Sequence, residues 1–238
     1  MDVRTQDPFD FEARYNTAGA LGALAYEQRM ILEELGSLRP GILLNVGTGF
    51  GKLINFPPPP EVVGMDSSES DLASAVQRYS GDASKHFVVG DASSLPFRDE
   101  AFDQVLSIKV IKFLEDPEAA VSEMADVLKP GGRLIVDVSN KYSPAAILRR
   151  LGSWLRVRPP ARAYFAFGDG VKMMASVGLT PFSHRAMFKV DPVFWRTLRN
   201  KGLVNFVEQL EGVLDRSTGP WFLSRYVLIA CEKPYAAG

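Results

Sequence analysis

A short apolar run that leads directly into a glycine-rich turn most constrains the fold of this chain. The run Leu43–Val46 is followed at once by the turn Gly47–Gly51, which has glycine at its first, third and fifth positions. Glycine adopts positive φ and lacks the Cβ that would keep a ligand away from the backbone. The pattern therefore predicts a strand whose carboxyl end approaches a bound molecule. A strand-to-helix turn without a ligand has the same glycines, so the pattern alone is a weak signal.

Short strand-like runs alternate with helical patterns along most of the chain. The predicted strands are Ile42–Val46, Val62–Met65, His86–Val89, Gln104–Ser107, Arg133–Val138, Phe182–Val190 and Trp221–Cys231. The predicted helices are Leu21–Leu35, Ser68–Tyr79, Pro117–Leu128, Asp169–Ser176 and Pro192–Leu214. This alternation is typical of βαβ units that build a parallel sheet, so an α/β fold is predicted. The prolines Pro57–Pro60 predict that any helix after the first strand is short.

Composition indicates one folded domain with additional segments. Hydrophobic residues make up 46% and charged residues 23% of the 238 positions, close to the average for globular proteins. The formal net charge of -1 gives no general attraction to nucleic acid, so no nucleic-acid partner is expected. No apolar run reaches the roughly 18 residues of a membrane span and no signal peptide is evident, so a cytoplasmic protein is predicted. Cys231 lies in an apolar run and is interpreted as a core residue, and no metal site is predicted.

Asp66 closes the second predicted strand, 19 residues after Gly47. A carboxylate at this position can accept hydrogen bonds from both hydroxyls of a ribose, which suits any adenosine-containing cofactor. Aspartate is also a favoured N-cap residue, and the next helix is predicted to begin near Ser68. Both roles are compatible with the sequence.

Four further segments carry a family resemblance. They are Val88–Ala92 with Leu95–Phe97, Phe102–Ser107, Leu114–Pro117 and Leu128–Leu134. Together with the glycine turn, they resemble the small-molecule methyltransferases that use S-adenosylmethionine (SAM) and are related to the ubiquinone and menaquinone C-methyltransferases. The resemblance covers about Ile42 to Val138. It implies a class I, Rossmann-like fold with a seven-stranded, mostly parallel sheet, an antiparallel last strand and helices on both faces, and it implies SAM as the cofactor.

The same resemblance implies how the chain is organised and where SAM binds. A single methyltransferase domain would span residues 1–238, with a helical cap at 1–40, a basic lid-like insertion at 141–168 and a helical insertion at 191–216. The implied SAM-binding residues are Asn45, Gly47, Thr48, Gly49, Asp66, Ser67, Asp91, Ala92, Ser107 and Ile108. Among these, the glycine turn would flank the methionine part, Asp66 the ribose, Asp91 with Ala92 the adenine, and Ser107 with Ile108 the sulfonium. The family usually has an acidic residue where this chain has Asn45.

Two other functions remain open at this level. An NAD(P)-dependent oxidoreductase would have a third glycine three residues after the second, where this chain has Lys52. A SAM-binding module without catalytic activity would keep every cofactor motif. The glycine spacing conflicts with the oxidoreductase. The sequence does not distinguish a catalytically inactive SAM-binding module from an active methyltransferase.

The acceptor side is less well defined. Ligands of open α/β sheets bind beyond the carboxyl ends of the strands, whereas His86 and His184 are predicted near strand beginnings. The substrate-side candidates that follow the fourth and fifth strands are Lys109, Lys112, Asn140, Lys141 and Tyr142. Lys109, Lys112 and Tyr142 are favoured among them, and the catalytic residues are left unassigned. Each lysine is equally compatible with a solvated loop position. The N-terminal aromatic residues Phe9, Phe11 and Tyr15 either close over the cofactor or pack in the core.

A basic segment follows the fifth predicted strand. Residues 141–162 contain six lysines and arginines and no acidic residue, a local charge of +6. Apolar residues recur at helical spacing between Ile147 and Leu155, which predicts an amphipathic basic helix. The segment favours a small-molecule acceptor that is anionic, with Lys109 and Lys112 adding positive charge to the same cavity. The alternatives are a solvated helix paired with the acidic N-terminus and a helix that makes transient contact with a membrane surface. The sequence does not indicate an oligomeric state.

Overall fold

A seven-stranded sheet forms the centre of the protein in the computed structural model, which describes residues 17–35, 41–54, 61–148, 164–190, 192–216 and 224–235. The strands are β1 (Ile42–Val46), β2 (Glu61–Asp66), β3 (Lys85–Val89), β4 (Phe102–Ser107), β5 (Leu128–Ser139), β6 (Thr180–Met187) and β7 (Tyr226–Glu232). Their order in the sheet is β3-β2-β1-β4-β5-β7-β6. Strands β1 to β5 are parallel, and β7 is antiparallel to both β5 and β6. The predicted fold class is therefore confirmed.

Helices cover both faces of this sheet. They are α1 (Ala18–Leu35), α2 (Glu69–Arg78), α3 (Pro117–Asp126), α4 (Phe167–Ser176), α5 (Pro192–Thr197) and α6 (Lys201–Arg216), with a 3₁₀ turn at Ile111–Phe113. One core contains α3 and α4 with alternate residues of the central strands, such as Val105 and Val136. The other contains α1, α5 and α6 with the intervening residues, such as Leu106 and Ile135. The alternation follows from the two-residue period of a strand, which sends successive side chains to opposite faces.

Helix α1 lies close to α5 and α6 because of two glycines. A Cβ on Gly19 would lie 1.7 Å from the carbonyl oxygen of Trp195, and one on Gly22 would lie 2.4 Å from a methyl group of Val204. The amide of Gly19 donates to the carbonyl of Leu198 at 2.9 Å. Trp195 is fully buried, as is Tyr26 on α1. The contact holds α1 over the sheet and thereby positions its polar residues near the carboxyl ends of the strands.

Several predicted element bounds are wrong for identifiable reasons. The single helix predicted for Pro192–Leu214 is two helices, because the Asn200 side chain accepts hydrogen bonds from the amides of Gly202 and Leu203 and starts a new helix. The sixth strand ends at Met187 rather than Val190, because Phe188 has a φ of 56°. The fifth strand begins at Leu128 and includes the Pro-Gly-Gly segment that was predicted to precede it. The helix expected after β1 falls partly outside the described residues.

Candidate active site

The glycine turn after β1 is fixed by backbone contacts to the end of β2. The amides of Gly47 and Thr48 both donate to the carbonyl of Met65, at 2.7 and 2.9 Å. Gly47 has a φ of 74°, and a Cβ there would lie 2.1 Å from a methyl group of Val110. The first glycine is therefore required by packing against the segment after β4, independently of any ligand.

Asp66 fixes the third residue of the turn. Its Oδ2 accepts the amide of Gly49 at 2.8 Å and its Oδ1 accepts the amide of Ser68 at 3.0 Å. Helix α2 is capped by Ser68 itself, whose hydroxyl accepts the amide of Asp71. Asp66 therefore orders the turn rather than capping the helix. Each carboxylate oxygen has a second lone pair, so two further donors, such as the hydroxyls of a ribose, can still bind.

Gly49 differs from Gly47 in the space around it. It has a φ of 52°, and apart from its two chain neighbours no described residue has an atom within 4 Å of an ideal Cβ there. Beside it, the Thr48 hydroxyl is buried and makes no hydrogen bond to the described part of the chain, and the same holds for the hydroxyl of Ser107 at the end of β4. Buried polar groups normally find a partner, so this arrangement suits a polar ligand over the turn.

The other predicted cofactor residues lie around the same edge of the sheet. Asn45 is buried and its amide donates to the carbonyl of Leu53 at 3.1 Å. Ile108 is buried directly after Ser107, and Ala92 is buried beside Asp91, which is exposed. The carboxylate of Asp91 accepts the amide of Ser93 at 2.8 Å. The predicted residues thus follow β1, β2, β3 and β4, whose carboxyl ends meet at one edge.

A group of charged and polar side chains occupies the α1 side of the sheet at this edge. We call Glu27, Lys109, Lys112, Asp137 and Tyr226 the charged cluster. Lys109 donates from Nζ to Glu27 Oε2 at 2.7 Å, and its backbone amide donates to Asp137 Oδ1 at 2.5 Å. Its φ of 65° is unusual for a residue with a side chain, so two carboxylates hold a strained turn after β4.

Lys112 and Tyr226 form the other half of the charged cluster. Lys112 Nζ donates to the Tyr226 hydroxyl at 3.3 Å and lies 5.0 Å from the centre of its ring. Arg225 Nε also donates to that hydroxyl, at 3.2 Å. The interpretation of Lys109 and Lys112 as two charges offered to an acceptor needs correction, because Lys109 is paired with Glu27 and Lys112 binds Tyr226 near Asp137.

Burial and charge shift two pKa values in this cluster in opposite directions. Burial raises the pKa of Asp137 from 3.8 to about 6, although Lys112 and the hydrogen bond from Lys109 oppose the shift. Burial by itself would raise the pKa of Tyr226, but the charges of Lys112, Arg225 and Lys109 outweigh it and lower that pKa. Asp137 Oδ2 is buried and has no hydrogen-bond partner among the residues that the structure describes. The cluster therefore contains a carboxyl group that changes protonation near neutral pH.

Comparison with known proteins shows which fold and which sequences this chain is similar to. A family model described as "Methyltransferase domain" matches residues 44–136. Over these residues the chain is similar to SAM-dependent methyltransferases of class I. A demethylmenaquinone methyltransferase of Clavibacter sepedonicus is 36% identical over 107 residues, which are 45% of this chain and 43% of that protein. The ubiquinone/menaquinone biosynthesis C-methyltransferase UbiE of Geobacter sulfurreducens is 29% identical over 214 residues, 76% of this chain and 83% of that protein.

Solved structures agree with the methyltransferase fold. A SAM-dependent methyltransferase from Thermotoga maritima superposes with a TM-score of 0.66 at 20% sequence identity, covering 94% of this chain and 96% of that one. The chain spans about half the length of several curated relatives that it matches. These matches favour a methyltransferase domain over the dinucleotide-binding domain of a dehydrogenase.

The remaining candidate residues are exposed or make local contacts. Tyr142 is exposed, and its amide donates to Asn140 Oδ1 at 3.0 Å. Lys141 forms an ion pair with Asp169 at 3.6 Å. His86 is exposed and lies 3.2 Å from Glu61, and His184 is exposed in the middle of β6. The N-terminal aromatic residues and the arginines of the basic segment lie outside the described residues.

Within the described ranges, no helix is both long and apolar enough to cross a membrane. These ranges also contain no group of three or more His, Cys, Asp or Glu side chains placed to hold a metal ion.

The sequence interpretation missed three members of the charged cluster. Asp137 is an acidic residue within the apolar strand β5, and Glu27 lies within the apolar pattern of α1. A lone carboxylate in a buried element is a recognisable signal, because burying a charge is costly unless it has a role or a partner. Tyr226 gave no such signal, since tyrosine is common in buried strands.

Proposed function

We propose that this protein is a cytoplasmic enzyme that transfers a methyl group from SAM to a small-molecule acceptor. The main support for this proposal is the geometry of the glycine turn. Asp66 fixes the turn Gly47–Gly51, and no described residue fills the space over Gly49 or hydrogen-bonds the buried hydroxyls of Thr48 and Ser107. A polar, extended ligand with a ribose fits these groups.

The proposed SAM-binding residues act by position. The turn would flank the methionine part, and Asp66 with Ser67 would bind the ribose through the lone pairs that the amides leave free. Asp91 and Ala92 would contact the adenine. Asn45 would lie below the turn, and Ser107 with Ile108 would border the reacting centre. SAM supplies an activated methyl group on sulfur, so the protein's main task is to hold the acceptor in line with it. Such positioning contributes about 7–11 kcal/mol by making the step effectively intramolecular.

The acceptor is proposed to be a small organic molecule. Relatives named after menaquinone and ubiquinone support this class. We propose further that the acceptor is anionic and that residues 141–168 form its lid, because the segment 141–162 carries a charge of +6. Residues 144–148 are helical, with Ile147 and Leu148 exposed at 49% and 66%. An exposed apolar pair at the start of a basic segment suits a surface that closes over a ligand.

Calorimetry with SAM, S-adenosylhomocysteine and NADH tests the cofactor. The expected result is binding of the two adenosyl compounds and none of NADH. Binding of NADH without binding of SAM would favour an oxidoreductase and refute the proposal. Incubation with methyl-labelled SAM and a metabolite extract then tests transfer, because the acceptor gains one labelled methyl group. Binding of SAM with no labelled product from any extract would favour a SAM-binding module instead.

The lid is tested by the double variant Arg149→Glu and Arg150→Glu. A higher KM for the labelled acceptor, a steeper dependence of KM on salt and unchanged affinity for SAM are expected, because only the acceptor meets these charges. Normal kinetics in the double variant would refute the anionic-acceptor proposal. Loss of liposome binding with normal kinetics would assign the segment to a membrane surface.

A further inference from the structure

Asp137 is a buried carboxylate whose two oxygens differ in their hydrogen bonds to the described residues. Its Oδ1 accepts the backbone amide of Lys109, while Oδ2 is buried and makes no hydrogen bond to the described part of the chain. In the register of the sheet Asp137 lies opposite Leu228, on the face covered by α1. It therefore lies in the carboxyl-terminal third of β5, next to the end of β4 at Ser107.

We infer that Asp137 is the general base of the reaction, taking a proton from the nucleophilic atom of the acceptor through Oδ2, directly or through one water. The inference rests on the proposed methyl transfer and adds a residue and an acceptor class to it. Burial alone does not single out Asp137, because Glu211 is also a buried carboxylate. Both oxygens of Glu211, however, accept backbone amides, those of Lys189 and Val190. Among the described residues, one carboxylate oxygen of Asp137 therefore makes no hydrogen bond, whereas both oxygens of Glu211 do.

The role defines the chemistry of the acceptor. The electron pair of the acceptor's nucleophilic atom forms the new bond to the methyl carbon, the carbon–sulfur bond breaks with its pair remaining on sulfur, and the acceptor's proton passes to Asp137. A carboxylate acceptor has no proton to lose and needs no base. The geometry therefore points to an acceptor that enters with hydrogen on the reacting atom, such as a hydroxyl, an enol or an amine.

The surroundings of Asp137 suit proton exchange near neutral pH. Glu27 faces it from α1, Lys109 and Lys112 from the segment after β4, and Tyr226 from β7. Lys112 lowers the pKa of Asp137 and burial raises it, with a balance at about 6. A base with a pKa near the working pH is ionised often enough to accept a proton and basic enough to take it.

The first measurement is a titration of the carboxyl groups. Carbon-13 NMR of full-length protein labelled at aspartate, saturated with S-adenosylhomocysteine, should show one carboxyl signal with a pKa near 6 that is absent from the Asp137→Asn variant. Asparagine keeps an Oδ1 for the Lys109 amide, so the turn should be retained. In Lys112→Met the same signal should titrate at higher pH, because an opposing positive charge is gone. The pKa of a carboxylate with only a structural role would also rise in Lys112→Met. Such a carboxylate would not, however, set the pH dependence of methyl transfer.

The second measurement is transfer of labelled methyl from SAM to a metabolite extract. Asp137→Asn should lower the rate at least about a hundredfold, as expected for loss of a general base, with unchanged affinity for S-adenosylhomocysteine. The matched control is Glu211→Gln, which removes the other buried carboxylate and should transfer at the wild-type rate. The wild-type rate should rise with pH, with a midpoint at about 6. In Lys112→Met the midpoint of this rise should lie at higher pH.

The outcomes separate this inference from the proposed function. Wild-type transfer with an equally active Asp137→Asn variant overturns the inference and leaves the proposed function standing. Absence of any aspartate titrating near neutral pH also overturns it, as does loss of S-adenosylhomocysteine binding in Asp137→Asn. A wild-type protein that neither binds S-adenosylhomocysteine nor transfers label refutes the proposed function itself.

Discussion

Replacing Asp137 with asparagine is expected to make the protein more stable at neutral pH. The ionised carboxylate is buried and its pKa is raised to about 6 by burial. A group whose pKa is higher in the folded state than in the unfolded state stabilises the fold when protonated, and that contribution is lost as the pH rises through the folded-state value. Asparagine has the shape of the protonated, neutral carboxyl group. The variant therefore keeps at every pH the stability that the wild type has when Asp137 is protonated.

The magnitude follows from the size of the pKa shift. The change from 3.8 to about 6 corresponds to about 3 kcal/mol, at about 1.4 kcal/mol for each pKa unit. The gain should be absent below pH 3.8, where the carboxyl is protonated in both states, and should be complete above about pH 6. A domain of this size gains about 2–4 °C in Tm for each kcal/mol, so a rise of about 6–12 °C is expected at neutral pH.

Urea unfolding across this pH range measures the effect. The matched control is Asp103→Asn at the opposite end of the sheet. The amide of Ile42 and the charge of Lys129 lower the pKa of Asp103, and they outweigh burial, which acts in the other direction. The Asp103→Asn variant should have a lower free energy of unfolding than wild type at neutral pH. This difference should become smaller as the pH falls. An Asp137→Asn variant that is no more stable than wild type at neutral pH would refute the reasoning.

Three further predictions concern other residues. Asp66→Ala should weaken S-adenosylhomocysteine binding at least tenfold, because charge-assisted hydrogen bonds contribute about 1.5–3 kcal/mol. Calorimetry measures this affinity, and an unchanged affinity with a lower Tm would mean that Asp66 only orders the turn. Gly49→Ala and Gly81→Ala both place a side chain at positive φ in open space and should each cost about 1 kcal/mol of stability, but only Gly49→Ala should also weaken S-adenosylhomocysteine binding. Burial raises the pKa of Cys231 to about 12, so a chromogenic thiol reagent should label it only after unfolding, and rapid labelling of native protein would contradict this.

The central part of the fold was predictable because its signals are local. The glycine turn, the proline that begins α3 and the apolar strands each depend on a few neighbouring residues, and the structure places them close to the predicted positions. The break between α5 and α6 was less accessible. Asn200 begins α6 through side-chain hydrogen bonds to the amides of Gly202 and Leu203, and an apolar periodicity continues across it.

The site was predictable only where a motif marks it. Asp66 follows a strand at a spacing that points to a ribose, so its place at the turn could be anticipated. The charged cluster depends on contacts between residues far apart in sequence, such as Lys109 with Glu27 and Lys112 with Tyr226. Charge counts suggested that both lysines were available, and only the packing of α1 and β7 against the segment after β4 reveals their partners.

The position of β7 has a consequence for how the protein is made. This strand follows the other six in chain order but lies between β5 and β6, and in the described structure it is the only strand to which β6 is hydrogen-bonded. A nascent chain that has not released Tyr226–Glu232 from the ribosome therefore has an open, apolar edge on β5 and a β6 segment without a place in the sheet. Open edges of this kind pair with other chains and bind chaperones. Translation that stops before Tyr226 would thus yield a species prone to aggregation instead of a smaller working enzyme.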